Sequence, residues 1–475
     1  MRTMSTPLAE LARKPALTCT ADTPLHDALK LMHDANVGSI IVVEPASNGE
    51  NVIGILTRSD LIRSVILPKT ALSTPIKNVM SRNVLTLPAD ASAADATLMM
   101  AEHSIRHIPI VDEDVRRPRV IGVVSERDLF TLQRLGIRQM STAIEHADDV
   151  SALTSIAADI RALSHHLVAQ GVSVSHLTRL ISRLNDQLTI KLLALTTAQL
   201  GISRDSFCWL SFGSEGREEQ TIASDQDNGI LFDGSMVSRD RVLQLAEHAN
   251  EALAACGFPL CKGNIMARNP QWCLTYAEWQ VSFSTWIDSG DPSALLNASI
   301  FFDFRPLFGA EAQANQLRDF VISRAQNQRF LKQMADNALR NAPPTIGGLI
   351  ESLFPDTGAE SVDLKMSGTV LFVDAARIWA YSMGLKQTNT TERLTALAAL
   401  GHLHPADVLG WIAAFEFFQL MRLREQHRHV VDDVRNGNPN VVRLANLSVL
   451  DRRVINEAFR QARKLQQRLQ LDFPG

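Results

Sequence analysis

Apolar positions change their spacing twice along this chain. Up to about residue 135 they form short β-branched runs, 40–43 and 52–56, bounded by the polar residues Ser47-Asn48-Gly49-Glu50, which reads as strand, turn, strand. A helix over 27–32 precedes them, and Thr57-x-x-Asp60 marks the start of another. The same order returns displaced by 68 residues. Ser39-Ile40-Ile41-Val42-Val43-Glu44 matches His107-Ile108-Pro109-Ile110-Val111-Asp112, and the run 52–61 matches 120–129. From about 140 the period becomes helical: Ile156, Ile160, Leu163 and Leu167, then, past Gly171, Leu177, Leu180, Ile181, Leu184 and Leu188. A short apolar strand, 207–212, follows. Beyond Phe308-Gly309 the pattern is helical again, with helices predicted over 312–338, 368–383, 391–399, 405–424 and 449–469. These changes divide an α+β multidomain chain into segments 8–135, 140–200, 201–310 and 311–475.

Composition narrows the function class. At 475 residues the chain is too long for one core, and 45% hydrophobic with 21% charged residues suits a globular protein. A net charge of −4 predicts no broad basic face for nucleic acid. The final helix carries Arg452, Arg453, Arg460, Arg463, Lys464 and Arg468 opposite the apolar stripe Ile455, Phe459, Ala462, Leu465 and Leu469, which reads as packing with a solvated basic face. No run is long enough to span a membrane; 408–421 contains Glu416 and Gln419 and reads as a buried helix. The N-terminus lacks an apolar signal segment, so a cytoplasmic location is expected. The five cysteines form no C-x-x-C pair and read as reduced, mostly buried thiols. His26-Asp27, His33-Asp34 and His165-His166 have no partners spaced for metal binding.

The candidate chemistry lies in WLSFGSEGREEQTIASDQDNGILF, residues 209–232. On an extended strand, Asp225 and Asp227 project to one side and offer hard oxygens to Mg²⁺. Ser-Asp-Gln-Asp-Asn would also make a polar turn. Gly213-Ser214 provides close backbone approach and a hydroxyl for a triphosphate. Downstream, Asp303 sits between phenylalanines, where a carboxylate must be paired, liganded or neutralised; an ion pair with Arg305 or another cation is the alternative to a metal. Arg217, Lys262, Arg268 and Arg305 are candidate triphosphate contacts, Arg217 foremost because it follows the Gly-Ser turn. In the helical third, Lys365 and Arg377 are candidate cleft cations, with surface ion pairs as the alternative.

Two resemblances follow from these residues. The repeat, with Gly54, Thr57 and Asp60 matched by Gly122, Ser125 and Asp128, resembles a tandem pair of CBS domains. That implies an adenosine-containing ligand between the copies, with Asp60 and Asp128 on ribose hydroxyls and Thr57 and Ser125 near phosphate; plain helix capping is the other role open to these residues. It also implies a homodimer. Gly213, Ser214, Gly216, Arg217, Glu219, Asp225, Asp227 and Asn228 resemble the nucleotidyltransferase domain of protein-PII uridylyltransferases and of CBS-linked nucleotidyltransferases, within the DNA polymerase β superfamily. Gln226 and Asn228 depart from the hydrophobic positions of the wider superfamily. Asp363-Leu364-Lys365, Gly368, Asp374, Arg377 and Thr391-Glu392-Arg393-Leu394 resemble the helical substrate-binding domain that accompanies it. The resemblance implies metals on Asp225, Asp227 and Asp303, a nucleoside triphosphate near Gly213, Ser214, Arg217, Lys262 and Lys365, and an acceptor hydroxyl that includes protein side chains. Adenine nucleotide on the CBS pair would regulate the reaction. The competing expectation is a catalytically silent nucleotide sensor that acts through a partner.

Overall fold

The computed structural model describes residues 6–12, 15–46, 49–61, 68–103, 105–112, 119–169, 171–344, 361–431 and 437–474. The turn expected at Ser47-Asn48 lies outside them. Two compact units form, 1–140 and 141–475.

In the first unit, β1 (Thr18–Thr20) pairs parallel with β2 (Ser39–Ala46), which pairs antiparallel with β3 (Gly49–Thr57). The second copy repeats this with β4 (Leu87–Pro88), β5 (His107–Asp112) and β6 (Arg119–Ser125). The duplication extends to the register: the ladder slips between Val42 and Val43, and again at the equivalent Ile110 and Val111. It extends to the cores as well. Leu25, Ala28, Met32, Ile40, Val42 and Leu56 are buried together in one copy, and Ala93, Ala96, Met100, Ile108, Ile110 and Val124 occupy the matching places in the other. Alternate strand residues Ile41, Val43 and Ile55 point to a further core that includes Val120 and Val123, so the strands are apolar on both faces.

The second unit opens with helices Val150–Ala169 and Val174–Leu200, separated at Gly171, whose φ of 69° suits a residue without Cβ. A mixed sheet follows in the order β10-β7-β8-β9, made of β7 (Phe207–Ser211), β8 (Asn228–Phe232), β9 (Cys273–Thr275) and β10 (Arg305–Gly309). Only the β8–β9 pair is parallel. Helices Arg239–Ala255 and Tyr276–Ser289 accompany it, the latter started by a reciprocal Thr275–Glu278 cap. Among the described residues the remaining regular elements are helices apart from a two-stranded pair, β11 (Ser361–Asp363) and β12 (Val441–Arg443). One continuous core runs from Cys208 and Leu210 on β7 through Trp279, Phe283 and Phe301 to Leu465 and Leu469 of the last helix. The helix expected over 312–338 is in fact two, Glu311–Ala325 and Gln328–Leu339, because the Asn327 side chain accepts from the amides of Arg329 and Phe330 and restarts the chain. Among the described residues no helix is long and apolar enough to cross a membrane.

Candidate active site

The Asp225–Asn228 segment is held extended from both sides. The Phe212 amide donates to the Asp227 carbonyl at 2.9 Å, continuing the β7–β8 ladder beyond its last paired residues. On the other side, the Gln226 amide donates to the Pro259 carbonyl at 3.0 Å and the Asn228 amide to the Ile265 carbonyl at 3.1 Å. Side chains therefore alternate: Asp225 is exposed and Asp227 half-buried, while Gln226 and Asn228 are buried. The two buried amides are satisfied by Asn250. Its Nδ2 donates to Gln226 Oε1 (2.7 Å) and Asn228 Oδ1 (3.0 Å), and Gln226 Nε2 donates to the carbonyls of Asn250 and Phe258 (3.0 and 2.9 Å). The departures from a hydrophobic pattern are thus a closed polar network that fixes the direction of the aspartates.

The loop stitched alongside brings in a residue that carries no motif. Cys261 joins Asp225 and Asp227, with ligand atoms all within 4.8 Å of one another. Burial pushes the Asp227 carboxyl up to about 6, with the charge of Asp225 adding to the effect and Lys365 opposing it. The Cys261 thiol lies beside Asp227, and burial raises its pKa. Two converging carboxylates short of positive charge, beside a thiol kept neutral, fit a small hard divalent cation bound through oxygen. Lys262, next to Cys261, is exposed, as is Lys365. Gly213 has φ 55°, and a Cβ there would lie 3.0 Å from Asp227 Oδ2, so the turn approaches the carboxylate closely only because it is glycine.

Asp303 is not part of this group, contrary to the expectation of a third carboxylate ligand. It lies outside a strand, between helix Pro292–Phe301 and β10, with its side chain fully buried. Three guanidiniums hold it: Arg217 Nη1 at 2.9 Å, Arg377 Nε and Nη2 at 3.0 and 2.7 Å, and Arg393 Nη2 at 2.7 Å. The turn Gly213–Gly216 accounts for the separation. Its first glycine faces Asp227, whereas a Cβ on Gly216 would lie 1.8 Å from the Asp303 carbonyl oxygen. A carboxylate withdrawn from water on that side needs cations, and the cations are these three rather than Arg305.

The triphosphate contacts expected from arginine change accordingly. Arg217 is committed to Asp303 and, through Nε, to Glu219 at 2.9 Å. Arg305 Nη2 grips both Asp186 oxygens at 2.9 and 2.8 Å, Arg268 lies 3.6 Å from Glu247, and Arg377 Nη1 also bonds Asp374 at 2.6 Å. Glu219 emerges as a joint: its Oε1 accepts from the Thr390 amide at 2.6 Å, while Asn389 Nδ2 donates to the Arg217 carbonyl at 3.1 Å. The signature segment is thereby fastened to the start of helix Thr390–Ala399.

In the first unit, Asp60 Oδ2 accepts from the Thr57 amide (2.9 Å) and hydroxyl (2.7 Å), and Asp128 Oδ2 from the Ser125 amide (3.0 Å) and hydroxyl (2.5 Å). These are capping bonds at the ends of β3 and β6. His107, unremarkable in sequence, lies within electrostatic reach of both Asp128 and Asp60; burial lowers its pKa against their pull.

Residues 158–293 match the family described as "Putative nucleotidyltransferase DUF294", and 328–473 the one described as "Putative nucleotidyltransferase substrate binding domain". Residues 8–67 and 76–134 each match the CBS domain. The CBS domain-containing protein YhcV of Bacillus subtilis is 34% identical over 140 residues, covering 29% of this chain and 86% of that protein. The mitochondrial CBS domain-containing protein CBSX3 of Arabidopsis thaliana is 31% identical over 116 residues, 24% of this chain. The chain spans only 54% of that protein's length. A CBS domain protein of Pyrobaculum aerophilum, solved in complex with AMP, is 18% identical over 26% of this chain and 89% of its own, with a TM-score of 0.23.

Proposed function

Because the chain belongs to the CBS-linked proteins that carry a DUF294-type nucleotidyltransferase domain and its substrate-binding domain, we propose that it moves a nucleoside monophosphate from a nucleoside triphosphate to an acceptor hydroxyl. The reaction is Mg²⁺-dependent, the acceptor includes protein hydroxyls in the manner of a uridylyltransferase, and adenine nucleotide on the CBS pair regulates it in a cytoplasmic homodimer. The observation that carries the reading is the convergence of Asp225 and Asp227 beside the Gly213 turn. Asp225 and Asp227 would hold the cation, which when bound offsets charge on the phosphates and the departing pyrophosphate. One of the two carboxylates would also accept the proton of the attacking hydroxyl. Gly213 and Ser214 let the phosphates approach the backbone. Lys262 and Lys365, exposed and without a salt bridge among the described residues, supply the positive charge that Arg217 does not.

The test is pyrophosphate release by the full chain with Mg²⁺, each labelled nucleoside triphosphate and a lysate acceptor. The Asp225→Ala/Asp227→Ala variant should lose it; equal release by both proteins sinks the assignment. One observation favours a second reading, a silent nucleotide sensor: Asp303 and Arg217 are spent on each other. Triphosphate binding without pyrophosphate release under any acceptor would select it. For the CBS pair, calorimetric titration with AMP, ADP and ATP should show weaker binding in Asp60→Ala and Asp128→Ala. Unchanged affinity would leave these aspartates as caps alone.

A further inference from the structure

Against the Asp303 cluster, between helices Glu311–Ala325 and Val370–Ser382, lies a small cavity lined by Arg318, Arg393, Tyr381, Phe302, Phe304 and Thr388. Its volume is ≈ 10 Å³, which admits a single small particle and no polyatomic group. Arg393 is almost wholly buried, 2% exposed, and two of its three guanidinium nitrogens are engaged: Nε with the Gln387 carbonyl at 2.8 Å and Nη2 with Asp303. Nη1 is buried and has no hydrogen-bond partner among the described residues. Leaving such a charged donor unpaired costs more than an ordinary hydrogen bond is worth.

Charge points the same way. Arg217, Arg318, Arg377 and Arg393 share the carboxylates of Asp303, Glu219 and Asp374, so four guanidiniums face three carboxylates. Lys386 and Asp319 pair with each other near the rim and change nothing. Arg318 Nη2 spends a donor on the Lys386 carbonyl, which carries no charge. Burial lowers the Arg318 pKa, with Arg393 adding to the effect and Tyr381, Asp303 and Asp319 opposing it. Tyr381 gives its hydroxyl proton to the Phe302 carbonyl at 2.5 Å.

We propose that this cavity binds one monatomic anion of halide size between Arg318 and the free Nη1 of Arg393. A neutral water would satisfy the N–H but leave the surplus charge, and a phosphate or carboxylate exceeds the space. The site is separate from Asp225 and Asp227 and stands whatever those residues do.

Urea unfolding of the full chain in sodium chloride and sodium gluconate at equal ionic strength tests this, with Arg318→Gln run in parallel to remove the general salt effect. The wild type should show a chloride-specific upward shift of its midpoint that grows with the logarithm of chloride concentration, and Arg318→Gln should lack it. An equal chloride-to-gluconate difference in both proteins would overturn the proposal and leave a water in the cavity. Should Arg318→Gln not fold, anomalous scattering from wild-type crystals grown in bromide decides: a peak between Arg318 and Arg393 supports the site, and none refutes it.

Discussion

Asp303→Asn is the substitution that separates a structural carboxylate from a catalytic one. The side chain is 0% exposed, and those of Arg217, Arg377 and Arg393 are 12%, 2% and 2% exposed. Asparagine preserves shape and one acceptor but removes the charge that three buried cations share. Breaking a buried ion pair from one side costs about 3–5 kcal/mol, because the remaining charge is left uncompensated. For a unit of this size, a urea m-value of about 3 kcal/mol/M turns that into a midpoint about 1–1.7 M lower. Tryptophan fluorescence is the convenient probe, since all six tryptophans fall between Trp209 and Trp411 and report only the second unit. Acidity gives a further check. Burial pushes the Asp303 carboxyl up, but Arg377, Arg393 and Arg217 outweigh it and hold it well below the usual carboxylate range. The stabilisation is therefore complete above the unfolded pKa of about 4 and fades only as pH falls through the folded value. The deficit of Asp303→Asn should accordingly be as large at pH 5 as at pH 7. A variant that unfolds within about 0.2 M of wild type yet loses Mn²⁺ affinity would refute the reasoning and return Asp303 to the metal site.

Glu215 should make stability fall with rising pH. Burial, then the charge of Asp186, push its carboxyl up to about 8, so the folded protein keeps a proton that the unfolded chain has lost between about pH 4.5 and 8. In a chelator-containing buffer the urea midpoint should decline across that window, by an amount bounded near 5 kcal/mol. Glu215→Gln should flatten the decline, and parallel profiles would contradict the assignment. Gly216→Ala would place a Cβ 1.8 Å from the Asp303 carbonyl oxygen and 2.8 Å from that of Ser211, both backbone atoms. A loss of about 2–3 kcal/mol or more is expected by chemical denaturation, and a neutral effect would mean the turn is looser than described.

The CBS repeat was legible because its information is local. Strand periodicity, the Gly-x-x-Thr/Ser-x-x-Asp run and a constant displacement appear in any window, and even the register slip recurs at Val42 and Ile110. The acidic segment was legible in part: alternation places Asp225 and Asp227 together, and the glycine at 213 meets a real positive φ. What stayed hidden depends on contacts across long separations. The phenylalanines around Asp303 announced a buried carboxylate, but its partners come from positions 217, 377 and 393, and no local pattern distinguishes a ring of arginines from a pair of metal ions. Gln226 and Asn228 looked anomalous only because Asn250, which completes their network, lies a helix away. Cys261 reaches the site because backbone bonds at Pro259 and Ile265 dock its loop there, and nothing in its neighbours' identities signals that.

The bond from Glu219 to the Thr390 amide bears on any attempt to shuffle this protein's parts. A truncated piece stopping near residue 310 would retain the whole GSEGREE fingerprint, yet it would strand Asp303 with one counter-ion and leave Glu219 without the Thr390 amide. Chimaeras with related proteins should consequently graft both halves together, since the fingerprint and the distant helix that braces it share these bonds.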